Sequence, residues 1–361
     1  MTGLKFDRTP NPHRHILKRP WITAQPMESR FVRVFGEEQL RSVLEASLPH
    51  HWPVPILGTQ CYAVEGKLIP HIAGAGFTSL SDLINEATNG GKSQFIQFQR
   101  VGVTGVVAAH NTLWFEGNVP AAGSAGAALA GGTDCVRTTA GALGPQVNAA
   151  GGDTLHLTTG YVQATVASMT LLLYDRIWHG VPVLTSGFGT PQTVTMTAAR
   201  YASTGSSGTS KGNFVFCEIS SALPATAHGW NFEYTDDSGN AAETSPTVTG
   251  LSSGIAKRLD TAAGNSYIAG LNSGDVGVSD ISKWTLTTAN LASGAINVVL
   301  GHPLGFLPAS SVANQMIVMD GINSAFNLLR IYDDACLSLL EVNKPATTAT
   351  TYTGALQLVS G

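Results

Sequence analysis

The chain has 361 residues, which is enough for two domains, and only 12% of them are charged, about half the usual share. Its formal net charge of −4 argues against a dedicated nucleic-acid binder, and it holds no apolar run of the roughly 18 residues that a membrane helix needs. So little charge predicts either extensive burial against other subunits or a β protein that Ser, Thr and Asn keep soluble.

Residues 1–35 predict an extended basic arm. Prolines at positions 10, 12, 20 and 26 rule out one continuous helix. Basic residues outnumber acidic ones here, and we take them as candidate partner-binding residues: Lys5, Arg8, Arg14, Lys18, Arg19, Arg30 and Arg33. Three interpretations stay open for this arm: a solvated terminus, a segment that becomes ordered on a partner protein, and a contact with nucleic acid.

Residues 36–116 predict a small α+β segment. The clearest helix, Gly36–Leu48, begins with acidic residues and has one apolar face. A second helix is predicted to run to Thr88, with Ser79 or Ser81 as its N-cap. Strands are predicted at Cys61–Val64, Lys67–Ile69 and Phe95–Ala108.

The tripeptide Gly91-Lys92-Ser93 resembles the end of a phosphate-binding loop. That motif needs a glycine at position 86, where this chain has Glu86, whose carboxylate would repel a phosphate. The predicted helix also precedes the loop, whereas a phosphate-binding loop precedes its helix. We therefore interpret Asn89-Gly90-Gly91 as a helix end, and no nucleotide or other cofactor is predicted.

Residues 117–153 are dominated by Gly and Ala and contain almost no bulky residue. This composition predicts a loop or linker. A loop of this length is uncommon in a compact domain unless it has a function or is covered by a neighbour. We expect either an excursion over an adjacent subunit or the boundary between two halves of the chain.

Residues 154–361 predict an antiparallel β-sandwich with a jelly-roll-like arrangement, because short β-rich segments alternate with turn signals. The sharpest signal is a hairpin with a strand at Trp230–Thr235, a turn at Asp236–Asn240 and a polar return strand. Further predictions are alternating strands at 191–200 and 213–220, two strands joined near 290–294, a helix within 310–326, and final strands at 336–342 and 352–360.

The search for catalytic, cofactor-binding or metal-binding residues identifies none. Asp175 and His179 are close in sequence, but in a strand an i, i+4 pair lies about 13 Å apart. Glu233 and Glu243 could face each other across the hairpin, as a glycosidase pair must; the alternative is polar residues on the solvent side of a strand pair. Asp236 and its neighbour are interpreted as turn residues that bond nearby backbone N–H groups.

The four cysteines, Cys61, Cys135, Cys217 and Cys336, have no C-x-x-C spacing. This pattern predicts neither a zinc site nor a disulfide framework. We expect each to be a buried free thiol in a chain that folds in a reducing cytoplasm, and the first residues lack the apolar core of a signal peptide. The dispersed tryptophans at 178, 230 and 284 are predicted core residues.

The C-terminal two-thirds of the chain contains the segments LLLYDRIWHG, TPQTVTMT, FEYTDDSGNAAETSPTV, LNSGDVGVSDISKWTLT and LLRIYDDACLSLLEV, and FTSLSDLINEATNGGKSQFIQF lies upstream of them. These segments resemble a family of virion structural proteins from tailed bacteriophages. The resemblance covers roughly residues 75–361, and its motifs are structural and not catalytic. It implies a component of the virus particle, assembled in the host cytoplasm, and no enzymatic activity.

The position of the protein in the particle is left open by this resemblance. A capsid decoration or cement protein is the leading expectation, because a basic arm and a long loop suit attachment to neighbouring shell subunits. Its expected partners are the major capsid protein and other copies of itself, as a dimer or trimer. The alternatives are a tail or baseplate protein that contacts the host and a particle-borne glycan hydrolase.

Overall fold

The computed structural model is mainly β, with antiparallel sheets, which confirms the predicted fold class. It describes the backbone of 53–56, 59–64 and 67–71, and, with side chains, residues 77, 79–88, 91–144, 146–149, 153–197, 200–206, 208–262, 264–307, 310–321 and 329–361, the backbone also at 308. The predicted arm, with all its candidate partner-binding residues, and the predicted helix Gly36–Leu48 lie outside these residues.

Two compact units divide the chain, Met1–Asp82 and Leu83–Gly361. In the first unit, an antiparallel sheet is formed by β1 (Pro53–Ile56), β2 (Thr59–Val64) and β3 (Lys67–His71), in that order. The two strands predicted in this region are confirmed. The domain boundaries that composition suggests, at 35, 116 and 153, stay predictions.

The helix α1 (Leu80–Thr88) is the one helix within the described part of the chain. The Ser79 hydroxyl accepts a hydrogen bond from the Asp82 N–H at 3.1 Å, so Ser79 is the N-cap. Leu83 is buried on its apolar side. After the helix, Gly91 has a φ of +66°, a left-handed conformation that glycine adopts without strain.

The described residues of the second unit form three antiparallel sheets. Their strands are β4 (Ser93–Val101), β5 (Asn111–Thr112), β6 (Thr133–Asp134), β7 (Leu155–Ala164), β8 (Thr170–Gly180), β9 (Gln192–Thr193), β10 (Phe214–Ser221), β11 (Gly229–Asp236), β12 (Glu243–Thr244), β13 (Val248–Thr249), β14 (Val278–Leu286), β15 (Ala295–Pro308), β16 (Met316–Asp320), β17 (Leu329–Ile331), β18 (Leu337–Val342) and β19 (Thr351–Ser360).

The central sheet has the order β10-β15-β8-β18-β5, with β6 also paired to β8. One flanking sheet has the order β12-β11-β14-β9, with β13 on β11, and the other has the order β16-β7-β19-β4, with β17 on β7. We call the latter the C-terminal sheet, since it contains β19.

The long strands β8 and β15 belong to two sandwiches at once. Near one end, Ile177, Val298 and Leu300 pack with Phe232 and Trp284 of the β11–β14 sheet. Near the other end, the central sheet packs against the C-terminal sheet in a second buried cluster, which includes Leu171, Leu173, Leu307, Leu157, Tyr352 and Leu356. Because both faces of β8 are covered, every residue from Leu171 to Gly180 is buried, unlike the alternating burial of a half-exposed strand.

Most predicted strands exist, but four details of the predictions are wrong. The strand predicted at Phe95–Ala108 ends at Val101. The helix predicted within 310–326 is contradicted at β16, which is a strand paired with β7. Strand β10 does not alternate, because six consecutive residues from Phe214 to Ile219 are buried. Among the described residues of the region 191–200, the strand is limited to the two-residue β9. The two strands joined near 290–294 exist as β14 and β15, which lie in different sheets.

The predicted hairpin is confirmed as β11 with β12 and β13, and the three core tryptophans at 178, 230 and 284 are buried. Asp236 acts as the predicted turn residue: its Oδ1 accepts the N–H groups of Ser238 at 2.9 Å and Asn240 at 2.7 Å. These bonds satisfy donors that the turn would otherwise leave unpaired.

Buried Arg100, at the end of β4, organises the Gly/Ala-rich residues 117–153. Its guanidinium donates to the carbonyl of Glu116, to those of Pro120 and Ala121 at 3.0 and 3.2 Å, and to that of Gly141 at 2.8 Å. Burial lowers the pKa of Arg100 to about 10. One side chain thus joins two stretches of a segment that has few apolar groups of its own.

Candidate functional site

A fully buried ion pair lies at the middle of the central sheet. The side chains of Arg176 on β8 and Glu218 on β10 have no solvent exposure and form a two-pronged contact. Arg176 also bonds His179 Nδ1, at 2.7 Å from Nη2, and its guanidinium lies 4.2 Å from the centre of the Trp114 ring. Charges inside an apolar strand require such partners, because desolvation of a lone ion is very costly.

This pair remains ionised in the folded protein. Burial by itself would raise the pKa of Glu218, but the charge and hydrogen bonds of Arg176 outweigh it and the pKa is lowered. Burial likewise opposes the charge of Arg176, whereas Glu218 raises its pKa. With no solvent access, the pair has a structural role and cannot meet a substrate.

Asp175 and His179 have separate partners and do not form a catalytic pair. Asp175 accepts two bonds from Arg200, each at 3.0 Å, and one from the Cys336 N–H at 2.8 Å. Burial raises its pKa and Arg200 opposes the rise. His179 instead contacts Arg176, since the register of β8 against β15 shifts between these residues.

The two carboxylates considered for glycoside cleavage lie on opposite faces of their sheet. Glu233 is opposite Thr244, and Glu243 is opposite Tyr234, so the expectation that they could face each other is wrong. Glu233 bonds Lys283 at 2.9 Å, and this contact lowers its pKa. The alternative interpretation, polar residues outside the core, fits Glu233.

Sequence reasoning missed a cluster of three carboxylates beside this hairpin. Oxygen atoms of Asp236, Glu243 and Asp275 all lie within 4.8 Å of one another, and Tyr234 donates its hydroxyl to Asp275. Oxygen ligands of this kind suit hard divalent cations. The pKa of Glu243 is raised, chiefly through its hydrogen bond with Asp275. A proton shared between these two carboxyl groups is therefore a second way to relieve the repulsion between their negative charges. Asp275 is remote in sequence, and no spacing could have indicated the cluster.

Lys92, from the apparent phosphate-loop tripeptide, is engaged by carboxylates. Its ammonium group lies 3.1 Å from Glu86 and 2.9 Å from Asp153. Glu86, the residue that breaks the nucleotide motif, is therefore one of its partners. The geometry agrees with a helix end stabilised by an ion pair.

The outward side of β16, β7, β19 and β4 in the C-terminal sheet is a partly exposed surface, which we call the open face. The register places the outward residues in adjacent rows: Met316, Val318, Thr159, Tyr161, Gln163, Thr353, Ala355, Gln357, Phe95, Gln97 and Gln99, with Asp320 at one corner. Phe95, Met316 and Val318 are each more than half exposed.

Charge is sparse in the rows of the open face, although the exposed Arg330 of β17 lies on the same side of the sheet beyond them. Within these rows the single ionisable carboxylate is Asp320, and none of the residues is Lys, Arg or Glu. Amide and hydroxyl groups bond along the surface, for example Gln99 to Thr353 at 3.3 Å. Monomeric proteins seldom expose a continuous charge-free area with large apolar side chains unless it contacts something. No residue motif marks this face, because its members come from four strands spread over the sequence.

Comparison with known proteins identifies no family for this chain. No protein-family model matches the chain, and no curated protein matches it. A solved structure of infectious bursal disease virus, Gt strain, aligns over 74% of this chain and 81% of that chain with 8% identity and a TM-score of 0.13. A score this low supports no conclusion about fold or function. Within the described residues, no helix is long and apolar enough to cross a membrane.

Proposed function

We propose that this chain is a structural protein of a bacteriophage particle, a decoration or cement protein that binds the head shell. The resemblance of residues 75–361 to phage virion proteins supports the class. The observation that carries the proposal is the open face, a partly exposed and nearly uncharged sheet surface. Its proposed occupant is the major capsid protein.

The composition of the open face suits a protein contact. The centres of protein interfaces are depleted in charged residues and enriched in aromatic residues and Met. Tyr161, Phe95 and Met316 provide such side chains, and the glutamines and threonines around them can pair with polar groups of a partner. Removing an uncharged surface from water avoids the large desolvation cost of ionic groups.

The basic arm provides a second proposed contact. Residues 1–33 would lie against neighbouring shell subunits, and copies of the chain would associate as dimers or trimers. Deleting residues 1–33 should then reduce occupancy on shells, while undiminished occupancy would remove the arm from the proposal. Light scattering of the purified protein reports its oligomeric state.

A charge introduced into the open face tests the main contact. Val318→Lys, at 52% exposure, places an ammonium group in the proposed interface, and Val276→Lys, at 58% exposure on another surface, is the matched control. We expect Val318→Lys to lower binding to shells lacking the protein by about tenfold or more, with unchanged melting temperature. Val276→Lys should bind as the unsubstituted protein does.

Cryo-electron microscopy of particles distinguishes the alternatives. Density on the head, with the open face against the shell, would support the proposal. Density at the tail or its tip would establish the tail or baseplate alternative, and density in which open faces meet would mean self-association. Equal binding by both lysine variants would exclude the open face as the contact. The glycan hydrolase alternative rested on Glu233 and Glu243 facing each other. These carboxylates lie on opposite faces of the sheet, so this pair no longer supports it.

A further inference from the structure

Two cysteines far apart in sequence meet at the middle of β8. The N–H of Cys135, just after β6, donates to the carbonyl of Ile177 at 2.9 Å. The carbonyl of Cys336, just before β18, accepts the N–H of Arg176 at 2.9 Å. Since β15 pairs with β8 along its other side, β6 and β18 lie end to end along the same edge, and the cysteines occupy their junction.

Both thiols are enclosed in one small cluster. Cys135 and Cys336 have 0% exposure and share the cluster with Trp114 and Ala142. Both are free thiols in this structure. The third free cysteine with a described side chain, Cys217, lies in a different core beside the β11–β14 sheet, which makes it a natural control.

We propose that Cys135 and Cys336 are a redox-convertible pair that forms an intramolecular disulfide when the folded protein passes from a reducing to an oxidising environment. The bond would link the Gly/Ala-rich segment 117–153 to the start of β18. It would lock a segment that non-covalent contacts, among them those of Arg100, hold in the reduced protein.

The surroundings favour Cys135 as the attacking sulfur. Burial alone would raise the pKa of Cys135, but the Cys336 thiol, His179 and the charge of Arg176 together lower it. Burial raises the pKa of Cys336. A thiolate is the nucleophile in disulfide exchange, so the first step belongs to Cys135.

The chemistry balances with oxidised glutathione as the oxidant. The Cys135 thiolate attacks one sulfur of glutathione disulfide, forms a mixed disulfide and releases one glutathione thiolate. Cys336 then loses its proton, attacks the Cys135 sulfur and expels the second glutathione. The two cysteines lose two electrons and two protons in total, and one glutathione disulfide becomes two glutathione thiols.

The reaction requires transient opening, because neither sulfur is exposed to solvent. Segment 117–153 must move away from β8 for the oxidant to enter, so oxidation should be slow and should follow local unfolding. Arg100→Met, which removes the contacts that hold this segment, should accelerate oxidation several-fold. Once formed, the bond should raise the melting temperature by roughly 5 to 10 °C, since it closes a very long loop of chain.

Thiol counting tests the pair directly. The full-length protein is incubated in its native state with oxidised glutathione, denatured, and titrated with Ellman's reagent, and its peptides are mapped by mass spectrometry. The chain has four cysteines. We expect the thiol count to fall from four to two, a Cys135–Cys336 peptide to appear, and dithiothreitol to restore four thiols and the original melting temperature.

Serine substitutions show which cysteines form the disulfide. Cys217→Ser should still lose two thiols, whereas Cys135→Ser and Cys336→Ser should lose none. A count that stays at four in the unsubstituted protein, or a disulfide that involves Cys61 or Cys217 in place of this pair, would overturn the proposal. The measurements on the unsubstituted protein remain decisive if a serine variant does not fold.

Discussion

Replacing Glu218 by Gln isolates the energetic role of the buried ion pair. The substitution keeps the shape of the side chain but removes its charge. Arg176 would then lose its carboxylate partner and keep its contacts with His179, the Tyr174 hydroxyl at 3.3 Å and the Trp114 ring. Arg176 cannot release its proton to escape this situation, because the pKa of a guanidinium is too high.

The expected cost follows from the complete burial of both partners. Their side chains have 0% exposure, so water cannot replace the lost carboxylate. Removal of one member of a buried pair costs about 3 to 5 kcal/mol. The lowered pKa of Glu218 also sets a pH dependence: its contribution is present above the ordinary pKa of 4.5 and is lost as the pH falls through the folded-state value.

Urea unfolding measures this cost, with the fluorescence of the buried tryptophans as the signal. Glu233→Gln is the matched control, because Glu233 also pairs with a base, but its partner Lys283 is 45% exposed. We expect the control to lose about 0 to 1 kcal/mol. Equal losses for Glu218→Gln and Glu233→Gln at neutral pH would refute the argument that burial makes this pair important.

Three other predictions concern pH and the Gly/Ala-rich segment. Burial lowers the pKa of His302 to about 4, whereas the unfolded chain binds the proton near pH 6.5. The free energy of unfolding should therefore fall by roughly 3 kcal/mol as the pH drops from 6.5 to 4. Acid melting curves of His302→Asn should lack this fall. His228 should show the opposite pH dependence, because Asp260 raises its pKa although burial opposes its charge. Its contribution to the free energy of unfolding is present below pH 6.5 and is lost as the pH rises through the raised pKa. Melting temperatures of His228→Gln should lack this loss. Arg100→Met should cost about 3 kcal/mol and expose residues 117–142 to protease, and an unchanged cleavage pattern would contradict the role given to Arg100.

Features set by neighbouring residues were accessible from the sequence. Such features include the Ser79 cap, the Asp236 turn and the hairpin of β11. They depend on contacts within a few residues, which the capping and turn preferences of the individual amino acids predict well. The helix predicted within 310–326 failed for a reason of context. β16 is an edge strand with apolar residues on both sides, Met316 and Val318 outward and Met319 inward, so its periodicity does not identify a strand.

The functional features depend on pairings that no local pattern encodes. The open face requires the register of four strands, and the Cys135–Cys336 junction requires two chain segments to meet along β8. A partial signal does exist for the buried pair. Arg176 and Glu218 each stand in a strand rich in apolar residues, where a buried ion must find a partner, but the sequence does not say which.

The position of β19 has a consequence for the timing of folding during synthesis. This strand, Thr351–Ser360, lies between β7 and β4 and pairs with both. The C-terminal sheet therefore cannot close until the ribosome has released residue 360, however early β4 emerges. Nascent chains consequently have no completed open face with which to associate, and this surface becomes available only when translation of the strand is finished.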